Sequence, residues 1–230
     1  MNKFNHQVER HDAYDNLFEL IARDTFFKKS LESIIYSEAE KIDSAWKSLK
    51  DSVLNNKKVY IRGYGRNAAR SKHYIELYKI LFKNTNIHID PTNNAEPTKL
   101  ISSLTAYSKT SKKNKTHILN YQISHLFGRT KNPFLFCSPW NIAYIPKYLD
   151  PFTGHETQGS HSKDFKNIFN LILKEKFNLY LEDYNKIFSE FIQPNLESAL
   201  YTTRNNFESS EKFDDFVTDC KNELSSICTD

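Results

Sequence analysis

Asn120 to His161 reads NYQISHLFGRTKNPFLFCSPWNIAYIPKYLDPFTGHETQGSH, and the order of apolar and polar residues in it decides the fold. Two apolar stretches, His117–Phe127 and Phe134–Ile145, are separated by Gly128-Arg129-Thr130-Lys131-Asn132-Pro133. Aromatic and β-branched residues fill both stretches, while Gly, Asn and Pro crowd the join. The pattern predicts two strands linked by a long loop. Asp150-Pro151 follows, a pairing that opens helices because Asp serves as N-cap and Pro suits the first helical position. After Gly159 the period changes. Phe165, Ile168, Phe169, Ile172, Leu173, Phe177, Leu181, Tyr184, Phe188 and Ile192 fall at three- and four-residue steps, which places them on one helical face that ends at Pro194.

Outward from this stretch the chain is helical at both ends. On the N-terminal side, Leu17, Leu20, Ile21, Phe27, Leu31, Ile34, Ile35, Ile42 and Leu49 share a helical face, with no Gly or Pro before Gly63. One long helix or two shorter ones fit. At the other end Phe213, Phe216, Val217, Cys220, Leu224 and Ile227 make a last amphipathic helix. Between lie a short strand at Lys58–Arg62, a turn over Gly63–Ala68, helical spacing through Tyr74, Leu77, Tyr78, Leu81 and Phe82, and a second strand at Asn86–Asp90. The expectation is an α+β fold, with helical N- and C-terminal regions flanking a small central sheet. Boundaries are expected at a helical 1–56, a mixed basic 57–161 and a helical 162–230.

Charge is distributed unevenly. Residues 1–51 carry a balance of −2, residues 52–174 one of +13, and residues 175–230 one of −7. Pro97–Leu149 contains no Asp or Glu against eight Lys and Arg, and Ser52–Ile75 has six basic residues and no acid. A merely solvated surface mixes its signs. A carboxylate-free middle points to a polyanionic partner, and nucleic acid is the commonest such partner. With 39% hydrophobic residues the chain can build a core, which excludes a disordered acidic or basic tail. No apolar run approaches the roughly 18 residues that span a bilayer. Met1–Arg10 is polar, unlike a secretion signal, and Cys137, Cys220 and Cys228 are odd in number without CxxC spacing. A cytoplasmic protein with no membrane partner is expected.

Candidate chemistry gathers in the opening stretch. His125 closes the first strand, Asn141 leads the second, and Asp150, His155, Glu156 and His161 follow. A neutral imidazole can take a proton from water so that hydroxide attacks phosphorus. A divalent cation can neutralise charge on the phosphate oxygens. An Asn at the end of a loop can tie that loop by side-chain hydrogen bonds and so aim the His.

Residues 120–161 resemble the HNH, or ββα-metal, endonuclease family, in which a His ends one strand, an Asn leads the next, and a ligand follows in a helix. The resemblance implies that His125 is the general base and Asn141 the loop-orienting residue. It implies further that His155 and Asp150 hold a divalent metal ion, Mg²⁺ or else Mn²⁺ or Zn²⁺. On that reading the protein hydrolyses phosphodiester bonds of double-stranded DNA, in keeping with a restriction or anti-phage defence role. Arg129 and Lys131 in the inter-strand loop, with Arg62 and Arg66 upstream, are the candidate phosphate contacts. A homodimer or a partner subunit could be joined through the C-terminal helices. The alternative is a nucleic-acid-binding or assembly module without catalysis. A weaker motif, Gly63-x-Gly65-x-x-Ala68 after a strand with Asp90 ending the next, loosely matches a dinucleotide-binding turn with Asp90 on a ribose hydroxyl.

Overall fold

In chain order, α1 (Ala13–Leu20), α2 (Arg23–Glu32), a two-residue strand β1 (Ile35–Tyr36) and α3 (Ala39–Leu54) form the N-terminal part. The computed structural model describes residues 11–64, 68–154 and 158–228. Asp12 starts α1 by accepting the Tyr14 backbone N–H on its side chain. The helix break at Ser33 leaves Ile35 and Tyr36 extended. Ile34 and Ile35 lie on the helical face read from the sequence, yet Ile35 forms a strand. Pairing with a buried strand overrides the weak helix propensity of a β-branched residue.

A parallel unit comes next: β2 (Val59–Ile61), α4 (Ala68–Leu81) and β3 (Ile87–Ile89), with Val59 opposite Ile87 and Ile61 opposite Ile89. Parallel neighbours need a crossover, and α4 supplies it. Val59, Ile61 and Ile87 are buried in one cluster with Tyr74, Leu77, Tyr78 and Leu81 of α4. The helix that follows, α5 (Ala95–Leu104), was not legible from periodicity. Its start is held by Asp90, whose carboxylate accepts N–H groups from Thr92 at 3.0 Å, Ala95 at 2.9 Å and Glu96 at 2.7 Å. A carboxylate there also suits the positive end of the helix dipole.

Short parallel strands β4 (Tyr107–Ser108) and β5 (Thr116–His117) lead to the two long strands, β6 (Tyr121–His125) and β7 (Ile142–Pro146). These last pair antiparallel, from Tyr121 opposite Pro146 to His125 opposite Ile142, and β1 adds to the other side of β7. The central strand β7 is buried at every residue, as a strand covered on both faces must be. Ile142 and Tyr144 pack with Ile101 of α5 and Ile118, while Ala143 and Ile145 enter the main core. The strand predicted from Phe134 begins only at Ile142. Phe134–Phe136 are fully buried but turn, held by the Asn132 side chain accepting the Phe134 N–H at 2.9 Å.

After the short α6 (Asp150–Thr153), the long α7 (Ser160–Ile187), α8 (Gln193–Thr203) and α9 (Ser210–Glu223) complete the chain. The fold is α+β. A single buried cluster runs from Phe27 in α2 through Trp46 and Trp140 to Phe216 and Ile227, so the three regions expected from the sequence share one interior. The Asp183 carboxylate on α7 joins the ends, accepting from Trp46 Nε1 at 2.6 Å and Lys50 Nζ at 2.5 Å on α3. Among the described residues no helix is long and apolar enough to cross a membrane.

Candidate active site at the hairpin tip

His125 is the last residue of β6 and is only partly shielded from solvent. Its Nε2 lies 2.9 Å from the backbone oxygen of Phe136, and its ring stacks against the Phe136 ring at 5.3 Å between centroids and 11° between planes. A carbonyl can only accept, so the neutral imidazole carries its proton on Nε2 and leaves the Nδ1 lone pair free. Among the described residues Nδ1 has no hydrogen-bond partner. Burial pushes the His125 pKa down from 6.5 to about 4. The Phe136 carbonyl opposes that shift, Arg62 adds to it, and Asp90 opposes it. At neutral pH the ring is therefore an uncharged proton acceptor.

The loop carrying Phe136 is tied by Asn141, which has no exposed surface. Its Oδ1 accepts the Phe127 N–H at 2.8 Å, and its Nδ2 donates to the oxygens of Gly128 at 3.1 Å and Leu135 at 2.9 Å. Backbone bonds from Leu126 N to Asn141 O and from Asn141 N to Ser138 O complete the clasp. One amide thus joins both limbs of the loop, and through Phe136 it fixes the imidazole.

The loop cations take a different place from the one expected. Gly128 and Arg129 both adopt left-handed backbone, with φ of 65° and 53°, and the turn sends the Arg129 guanidinium inward. It donates to Ser225 Oγ at 3.0 Å, Ser226 O at 2.6 Å and Phe127 O at 3.2 Å. Lys131 is mostly shielded, pairs with Glu223 at 3.1 Å, and sits 4.4 Å from the centroid of the Tyr64 ring. Both side chains fasten the segment at and beyond the end of α9 to the loop, and the donors so engaged are not free for a phosphate. A further bond, Asn132 Nδ2 to Glu223 O at 3.0 Å, belongs to the same junction.

Arg62 differs. Its backbone N–H meets Thr130 O at 2.9 Å, which draws the end of β2 against the loop, while its side chain is exposed and close enough to bear on the His125 charge. Arg66, His155 and Glu156 lie outside the described residues.

Asp150 is not brought beside His125. Its Oδ1 accepts from Gln122 Nε2 at 2.6 Å, and Gln122 faces Ile145 across the hairpin. Gln122 and His125 are three positions apart along the strand, about 10 Å of rise, and odd spacing puts the two on opposite faces. Asp150 is the first residue of α6, with Pro151 in the same turn, and the N-cap expected of it falls instead on Leu149. His161 is drawn to the N-terminal helix, with Nε2 2.8 Å from Asp15 Oδ1 and its ring 4.7 Å from that of Phe18. Among the described residues, no three His, Cys, Asp or Glu side chains gather as a metal ion requires.

The dinucleotide-turn reading is corrected at Asp90. The βαβ unit exists, but Asp90 is 2% exposed and both its oxygens are occupied by the start of α5, which leaves nothing for a ribose hydroxyl. Gly65 lies outside the described residues. Phe136 carries no sequence signal as a site residue, because it acts through its backbone oxygen.

A family model described as "Uncharacterised protein PM1201" matches residues 37–229. The "Uncharacterized protein PM1201" of Pasteurella multocida (strain Pm70) is 41% identical over 187 residues, covering 80% of this chain and 82% of that protein. No solved structure matches the chain.

Proposed function

We propose that this chain, which belongs to the PM1201 family, is a nucleic-acid endonuclease in which His125 is the general base. The observation that carries the reading is the pinned imidazole: Nε2 committed to Phe136 O, Nδ1 free, and an exposed Arg62 nearby. Nδ1 takes a proton from a water molecule as the water oxygen bonds to phosphorus. The bond from phosphorus to the leaving sugar oxygen breaks, and solvent supplies the proton that this oxygen needs. Arg62 balances charge on the phosphate. A pKa depressed to about 4 keeps the base unprotonated at neutral pH, at the cost of lower intrinsic basicity.

The resemblance to ββα-metal nucleases supports duplex DNA as the substrate, and the basic middle of the chain supports a polyanion in general. A divalent cation bound there would stabilise the phosphate charge. The described residues offer no cage for one beside His125, so the chemistry assigned above is that of the chain's own groups. Incubation of supercoiled plasmid with the protein in Mg²⁺ or Mn²⁺, with and without EDTA, tests the reading. Conversion to open-circular or linear DNA supports it, and binding with no strand scission under any divalent metal overturns it in favour of a non-catalytic binding module.

A further inference from the structure

Besides the hairpin tip, the basic middle of the chain builds a second surface. Alternation along β2 turns Val59 and Ile61 into the core and leaves Lys58, Tyr60 and Arg62 on the opposite face. His88 of β3 stands directly opposite Tyr60, with their rings 5.9 Å apart. Lys58 Nζ lies 5.1 Å from the Tyr60 ring centroid. Tyr60 belongs to neither buried cluster, and among the described residues its hydroxyl has no hydrogen-bond partner. Lys58, Arg62, His88 and Lys99 are all exposed.

A groove of about 590 Å³ runs beside this face, between β2, α3 and α5; Leu49, Leu100 and Leu104 give it an apolar wall, and Lys58, Tyr60 and Lys99 line it too. Its one carboxylate, Glu96, is paired with Lys99 at 2.6 Å. A half-exposed aromatic pair set among cations is what an unpaired base with its phosphates requires: a face to stack on and charge to follow the backbone. A duplex, with its bases already stacked, offers no free π-face. The stripe ends at Arg62, the residue that bears on His125.

We propose that the outer face of β2 and β3 is a stacking platform for a single-stranded polynucleotide segment, with Tyr60 and His88 under the bases and Lys58, Arg62 and Lys99 along the phosphates. The inference rests on the nucleic-acid reading above, keeps duplex DNA as what is cut, and adds that the protein also grips an unpaired stretch of strand beside the scissile bond.

Fluorescence anisotropy tests it on the whole chain, with oligothymidylate of about 12 nucleotides, within the span of such sites. An abasic oligomer with the same phosphates and a duplex of the same length complete the set. The expected result is tighter binding of oligothymidylate than of the abasic oligomer, a loss of about tenfold in affinity for oligothymidylate but not for the duplex in Tyr60→Ala, and retention of binding by Tyr60→Phe. Thermal melting of each variant verifies the fold. Equal binding of the abasic oligomer, or wild-type affinity in a folded Tyr60→Ala, overturns the platform. Plasmid nicking separates the two claims. Nicking by a protein whose Tyr60→Ala form binds oligothymidylate normally removes the platform alone. Tyr60-dependent binding without any nicking keeps the platform and removes the nuclease.

Discussion

The imidazole of His125 and the backbone oxygen of Phe136 lie 2.9 Å apart, although the two residues are 11 positions apart in the chain and the sequence, which reads both as strand, does not show the contact. This contact fixes which ring nitrogen holds the proton. It depends on a loop whose course is set by one buried amide, Asn141.

Replacing Asn141 by Ala should therefore unfasten the loop. Three hydrogen bonds vanish, leaving the Phe127 N–H and the Gly128 and Leu135 oxygens without their partner. The cost is on the order of 3 kcal/mol, and the melting temperature should fall by roughly 10 °C. Calorimetry checks it. An unchanged transition would mean that the clasp does not stabilise the loop.

His125 ionises at about 4 when folded, against 6.5 for the free side chain. Between these values the unfolded chain binds the proton more readily, so this group's contribution favours folding above about 6.5 and is lost as pH falls toward 4. NMR titration of the His125 ring should give a midpoint near 4, and cleavage should stay level from neutral pH down to about 5 before dropping. A midpoint near 6.5 would mean that the His125 ring is not desolvated in the folded chain.

Arg129→Ala should act on stability and not through a lost phosphate contact. The guanidinium holds Ser225, Ser226 and Phe127, and losing these bonds should cost about 2 kcal/mol. The residues after Glu223 should become more open to protease. A variant that melts like the wild type but binds DNA many-fold more weakly would restore the phosphate role. Lysine should not rescue, because it lacks the planar fork.

Asp150→Asn keeps an acceptor for Gln122 and removes the charge. Because Asp150 sits at the far end of the hairpin from His125, cleavage by this variant should stay within a few-fold of wild type. Abolished cleavage with intact folding would show that the carboxylate works at the reaction centre.

The hairpin was legible because its strands are apolar runs bounded by turn residues, and α4, α7 and α9 because their buried residues keep a helical period. The path of Phe134–Trp140 was not, since a buried turn has the same composition as a buried strand and only hydrogen bonds such as those of Asn132 tell them apart. Strand β1 was hidden because Ile34 and Ile35 also fit a helix. Helix α5 was hidden because its N-terminus is held by Asp90, five residues before Ala95. At the site, His125 and Asn141 stood out by type and spacing. The inward turn of Arg129 and Lys131 did not, because their partners Glu223, Ser225 and Ser226 come more than 90 residues later.

Plasmid nicking by wild type and His125→Ala, each verified as folded by its melting curve, tests the central claim most directly. The expected result is strand scission by the wild type and a loss of at least a hundredfold in the variant, the scale of a missing general base. A folded His125→Ala that nicks as fast as the wild type would contradict the assignment of His125 as the base.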